Sequence, residues 1–205
     1  LKQDRIQIKF DYPEAGWLPV HFHRNGKNRG TIEFSYVYDC FEPLKEWLET
    51  IANIATNKAS IRILDCEYTM LVLSYEPIWF YDYEEYDNRK LCPYNCGIFS
   101  VYDENKDKFL LDAYCKTETF VRDVYKCIID FAKAMKEKPE FVKDWTVENW
   151  NHELSKINND DDPDLTSLFL EKVKSPLIEK YIRDRDLLNK NANHFKRKSN
   201  KLIKK

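Results

Sequence analysis

Glycine is scarce in this sequence. Four occur in 205 residues: Gly16, Gly26, Gly30 and Gly97. Loops that cradle phosphate need close backbone approach, and these four match neither a P-loop nor a dinucleotide fingerprint. No Gly-x-Ser-x-Gly elbow is present, which removes the α/β-hydrolase arrangement. Histidine is equally sparse, with four in the chain. His152-Glu153 opens a zinc-protease helix motif, but Lys156 stands where the second histidine belongs. Long apolar runs are also missing, and none approaches the roughly 18 residues of a membrane span. No Asn-x-Ser/Thr sequon occurs among fifteen asparagines. The chain carries no Gly/Ser linker and no internal repeat.

Cysteine is present, six times: Cys40, Cys66, Cys92, Cys96, Cys115 and Cys127. A chain of this length and apolar content builds a core without disulfides. Several of the six fall in apolar patterns, where a free thiol acts as a small hydrophobe. This points to a reducing compartment, and the expected location is cytoplasmic. Cys92-Pro-Tyr-Asn-Cys96 has a gap compatible with zinc, but two further ligands at such spacing are lacking. No cofactor is expected.

Hydrophobic content of 43% and charged content of 33% describe a globular chain. The net charge of −2 gives no global pull toward nucleic acid or membrane. Charge is uneven along the chain. Residues 51–100 hold seven acids against four bases, and Leu187–Lys205 holds seven bases and no acid.

Period-two patterns dominate the front. Ile6, Ile8 and Phe10 share one strand face. Leu18, Val20 and Phe22 do the same, with His21 and His23 opposite. Asn25-Gly26 interrupts, and Thr31 to Tyr38 resumes the alternation through Ile32, Phe34 and Tyr36. The expected hairpin has a loop longer than the two-residue kind. A helix follows, with Asp39 and Glu42 at capping-box spacing and Pro43 in the first turn. Its stripe is Phe41, Leu44, Trp47, Leu48, Ile51 and Ile54. Strands are expected near 60–66, 68–75, 97–102 and 108–115. The clearest helix is 118–136, with Thr117 as cap and Val121, Val124, Ile128, Phe131 and Met135 as its stripe. Helices are also expected at 147–157, 165–173 and 177–188, the last two divided by Ser175-Pro176, with a frayed tail from Asn189.

The fold class is therefore α+β: an antiparallel sheet packed against two amphipathic helices, with a helical C-terminal third. Residues 1–138 form the expected α+β core domain. Residues 139–205 form a helical, charged appendage or a further part of the same domain.

Two function classes follow. Tyr75 to Asp87 reads YEPIWFYDYEEYD, with five acids and no base. Tyr and Trp supply large rigid contact area, and interleaved carboxylates complement a basic surface. The expected interface is Trp79, Tyr81, Asp82, Tyr83, Glu84, Glu85 and Tyr86, and the expected partner is another protein with a basic surface. One concrete form is a bacterial immunity-type protein that neutralises a basic toxin. In this reading the chain is a non-catalytic protein-binding module. Membrane is not an expected partner, and only the basic tail 190–205 offers anything to nucleic acid. The alternative is a hydrolase or metal-dependent enzyme with a site near His21, His23 and Glu33. Two imidazoles and a carboxylate on one sheet face could hold a divalent metal or transfer protons.

Overall fold

The computed structural model describes residues 3–14, 16–35, 40–53, 59–64, 70–81, 91–137 and 165–202. The elements run β1 (Ile6–Phe10), β2 (Trp17–Arg24), β3 (Lys27–Ser35), α1 (Phe41–Ala52), β4 (Ala59–Leu64), β5 (Met70–Tyr81), β6 (Leu91–Asp103), β7 (Lys108–Lys116), α2 (Thr117–Lys136), α3 (Leu165–Val173) and α4 (Pro176–Leu202). The class is α+β. The strands form two antiparallel sheets, β1-β2-β3 and β4-β5-β6-β7. The helix expected at 147–157 lies outside the described residues.

The first sheet obeys its hydrophobic pattern. Ile8 pairs with Phe22, Val20 with Ile32 and Leu18 with Phe34, and all six are buried. The hairpin joining β2 and β3 is tighter than expected. Arg24 pairs with Lys27, so Asn25 and Gly26 form the whole turn, both with positive φ, 55° and 78°. This is the preferred Asn-Gly geometry for a two-residue hairpin. A bulge between Phe22 and His23 supplies the register the pattern needs. Without it Val20 would face Thr31, and the apolar set of β3 would point to solvent.

Asp4 ties this sheet to the other. It makes an isolated parallel bridge with Cys115 of β7. Its N–H donates to the Tyr114 carbonyl at 2.6 Å. Its carboxylate takes Arg24 at 2.8 Å and the Asn25 amide at 2.6 Å. Burial alone would raise the Asp4 pKa, but the hydrogen bonds from Arg24 and Asn25 and the Arg24 charge outweigh it and lower it.

α1 presents Phe41, Leu44, Trp47, Leu48 and Ile51 to the core, as its spacing predicts. Its cap differs from expectation. Cys40 holds the N-cap position without a side-chain cap hydrogen bond, and Asp39 lies outside the described residues. Thr117 likewise is not the cap of α2, because Lys116 holds that place. The Thr117 hydroxyl instead accepts from buried Tyr75 at 2.7 Å. Burying the phenol in the core is possible because its hydroxyl finds this partner.

Two groups of rings fill the interior. Phe99 of β6 reaches Phe22 at 6.2 Å, Trp47 at 6.0 Å and Phe120 at 4.9 Å, linking both sheets to α1 and α2. Phe41 stacks on Phe131 at 5.6 Å and meets Phe169 edge-on at 5.0 Å. Phe169, Val173 and Ile178 belong to the same buried cluster as the strands. α3 and the start of α4 are therefore part of the core.

Ser175 and Pro176 divide α3 from α4 as expected. The Ser175 hydroxyl accepts from the Ile178 N–H at 3.1 Å, and Pro176 takes the first helical position. α4 then runs on to Leu202, through the segment expected to fray. No glycine or proline interrupts the sequence after Pro176. Lysine, arginine and leucine there favour helix.

Candidate functional site

The β5–β6 hairpin outgrows its neighbours. The last described pair of β4 on β5 is Ala59 with Tyr75, and β5 continues six residues to Tyr81. On the other side β7 first pairs with β6 at Cys96, five residues into the strand. Beyond those points β5 and β6 pair only with each other among the described strands: Trp79 with Pro93, Phe80 with Cys92, Tyr81 with Leu91. Glu76 and Pro77 still face residues of β6 that pair with β7, so the two-stranded part is Ile78–Tyr81 against Leu91–Asn95, roughly 15 Å at about 3.3 Å per residue. Strands were expected to stop at 75 and to begin at 97. The extension was missed because Pro77 and Pro93 demote a strand reading, and both sit beside an irregular register between Pro77 and Trp79.

Of the expected interface residues, Trp79 and Tyr81 occupy ribbon positions. Asp82, Tyr83, Glu84, Glu85 and Tyr86 lie outside the described residues. At the ribbon root Glu76 is exposed opposite Ile98, itself 39% exposed.

The root is anchored by close packing. Gly97 lies under the Tyr75 ring, and a Cβ there would come within 2.4 Å of its Cζ. Cys96 and Cys115 are buried free thiols on adjoining strands. The Gln3 amide donates to Cys96 Sγ at 3.2 Å. Burial pushes the Cys115 thiol up to about 12, which leaves no thiolate at neutral pH. Burial also raises Cys127. These thiols act as core groups, in keeping with their apolar sequence contexts.

The histidine face has different partners from those expected. His21 Nε2 lies 2.7 Å from Asp11 Oδ2, and its Nδ1 lies 2.8 Å from Thr31 Oγ1. His23 stands opposite Gln7 and Asn28, and Glu33 stands opposite Pro19. Among the described residues no three His, Cys, Asp or Glu side chains gather where a metal ion could be held. Asp11 and Thr31 were missed. Thr31 becomes the cross-strand neighbour of His21 only once the tight turn and bulge set the register.

A cleft of about 400 Å³ lies between α1 and β4. Two of its polar side chains are engaged by backbone carbonyls. The Trp47 indole donates to the Ala59 carbonyl at 3.1 Å, and the Thr50 hydroxyl donates to the Glu46 carbonyl at 2.9 Å. Among the described residues its lining holds no histidine, cysteine or basic side chain.

The fold is that of an α+β protein in which the β5–β6 hairpin extends past the described ends of its neighbouring strands. No family model matches the chain, and neither a curated protein nor a solved structure matches it. No described helix is long and apolar enough to cross a membrane.

Proposed function

We propose that the chain is a protein-binding module, and that its docking surface is the acidic, aromatic segment carried by the β5–β6 ribbon. The observation behind this is the ribbon itself. A hairpin that served only the sheet would close where β4 and β7 end, and this one continues into five carboxylates interleaved with aromatic rings. The partner is a protein with a basic surface. Aromatic side chains anchor such a contact, and carboxylates speed encounter and fix its register. In its most concrete form the partner is a basic toxin such as a nuclease. The carboxylates would then stand where phosphates bind, as an immunity-type protein requires.

Capture from the native host tests this. Wild-type chain is expected to retain a basic protein that E84K/E85K loses by at least roughly tenfold in affinity, since reversing charge at an interface costs several kcal/mol. Retention of every partner by E84K/E85K would remove the segment as the interface.

A second reading has one observation in its favour, the Asp11–His21–Thr31 hydrogen-bonded chain. Its order matches a nucleophile, a base and an orienting carboxylate. Acyl transfer would further need a pocket and oxyanion donors beside Thr31. Thr31 is exposed on an open sheet face, and the cleft lies elsewhere. Hydrolysis of an activated ester that disappears in Thr31→Ala would support this reading, and equal rates in both chains would end it.

A further inference from the structure

The four-stranded sheet ends on β4, and no described strand pairs with the other side of that strand. Hydrogen bonds at the opposite edge show which backbone groups β4 turns outward. On β7 the Tyr114 carbonyl accepts from the Asp4 N–H at 2.6 Å, and the Asp112 carbonyl accepts from the Arg24 guanidinium at 2.8 Å. Tyr114 and Asp112 therefore face away from β6. Asp112, Ser100, Ser74 and Ser60 form one cross-strand row through all four strands. In an antiparallel sheet a residue bonds to one neighbouring strand and turns from the other. Asp112 points out, Ser100 and Ser74 bond to each other, and Ser60 points out again at the far edge. Arg62, two residues on, has the same direction. β4 carries neither the proline nor the bulge that commonly blunts an edge.

The cleft of about 400 Å³ opens on this edge. Ala59, Ser60 and Ile61 all line it. Successive strand side chains point to opposite faces, so a cleft touching three in a row lies along the strand's backbone edge. Ser60 is exposed there. From the other side α1 contributes Pro43, Glu46 and Trp47. Glu46 is exposed, and it is the one charged side chain of the described lining.

These features fit a strand added to the edge, with its backbone bonded to Ser60 and Arg62 and a side chain in the cleft. Its residues opposite Ala59 and Ile61 would lie on the α1 side. A lysine or arginine there lays its stem along Pro43 and Trp47 and brings its charge to Glu46. A second copy of this chain does not supply that side chain. The β4 residues on the α1 side are Ala59, Ile61 and Ile63, all apolar and buried, and Arg62 alternates to the other face. We propose that the β4 edge and the α1 cleft bind an extended segment of another protein, with a lysine or arginine seated against Glu46. The site is separate from the β5–β6 segment and does not depend on its role.

Amide exchange of the full chain, followed by NMR, tests this. In the free chain the Ser60 and Arg62 amides are expected to exchange faster than those of Ile61 and Ile63, which bond to β5. The capped peptide Thr-Val-Thr-Lys-Thr-Val-Thr is the probe, and it should slow exchange at Ser60 and Arg62. Glu in place of its Lys should weaken binding by at least roughly tenfold, since like charges then meet in the cleft. N-methylation of its backbone amides should abolish binding with every side chain in place. Glu46→Lys should turn the preference to the Glu peptide. If circular dichroism shows that this variant loses helix, Glu46→Gln replaces it and should erase the preference. E84K/E85K should bind the Lys peptide as the wild type does. Loss of binding there would put the peptide on the ribbon and overturn the inference. Ser60 and Arg62 amides as protected as Ile61 in the free chain would overturn it too. So would protection that grows with chain concentration alone, the mark of a second copy on the edge. Absence of binding, or equal affinity for the Lys and Glu peptides, is equally fatal to it.

Discussion

The molecule contains two hairpins built on opposite plans. The β2–β3 hairpin closes in two residues, Asn25 and Gly26, and its turn is pinned to the body by Asp4. The β5–β6 hairpin runs past both neighbours and is joined by the nine residues 82–90. The first is all fold. The second has a root that is all fold, and it runs past the described ends of its neighbours toward the acidic segment. The contrast teaches where to look for function: stability should fall steeply for substitutions at the root and hardly at all at the tip.

The largest effect is expected at Phe99, where the root meets everything else. It is fully buried, with rings from β2, α1 and α2 around it. Phe99→Ala should destabilise by about 3–5 kcal/mol, the range for deleting a buried aromatic ring. Urea denaturation measures it, and a loss under about 1 kcal/mol would mean the root is not the centre of the core. Gly97→Ala comes next. Tyr75 cannot swing aside cheaply, since its ring stacks on Phe120 at 5.1 Å and its hydroxyl is held by Thr117. A cost of about 1–3 kcal/mol is expected for such overpacking.

The β2–β3 turn should respond more mildly. A Cβ on Gly26 meets nothing within 4 Å, so Gly26→Ala carries only the penalty of its positive φ. That is about 1 kcal/mol. The clamp below it should show in acid. The Asp4 pKa is lowered in the folded chain, so its contribution is present above the unfolded carboxylate value near 3.9 and is lost as pH falls through the folded value. Thermal melts of Asp4→Asn should show a shallower loss of stability than wild type between about pH 5 and pH 2. Identical acid limbs would show that Asp4 does not carry this linkage.

The two hairpins also differ in how far the sequence disclosed them. The faces of β1, β2 and β3 follow from alternation alone, because Ile8, Val20, Phe22, Ile32 and Phe34 share one core. What alternation cannot give is the register. Asn25-Gly26 looked like an interruption because the residues after it, Lys27 to Gly30, are polar or lack a side chain. Lys27, Asn28 and Gly30 are paired strand all the same, with Arg29 the extra residue of the bulge, and no side-chain pattern records that backbone pairing. The Asp11–His21–Thr31 contact stayed hidden for the same reason. At the second hairpin, two prolines and an irregular register broke the period-two signal just where the ribbon leaves the sheet. Composition still marked the segment, since charge and aromatic content are read without register. The helices α1 and α2 were plain from their stripes, but their caps were not, because Cys40 and Lys116 form no side-chain cap bond.

The smallest stability effect is expected at the tip, and it carries the most functional weight. E84K/E85K should change stability by no more than about 0.5 kcal/mol, the usual range for surface substitutions away from special features. Removing two like charges from a run of acids relieves repulsion, so a slight stabilisation is the expected sign. The same change should abolish capture of a basic partner. Stability and binding would then separate at the tip, as they cannot at Phe99, where unfolding would remove both. If E84K/E85K instead unfolds the chain at the level of Gly97→Ala, the tip is part of the fold. The two hairpins would then differ in length and not in purpose.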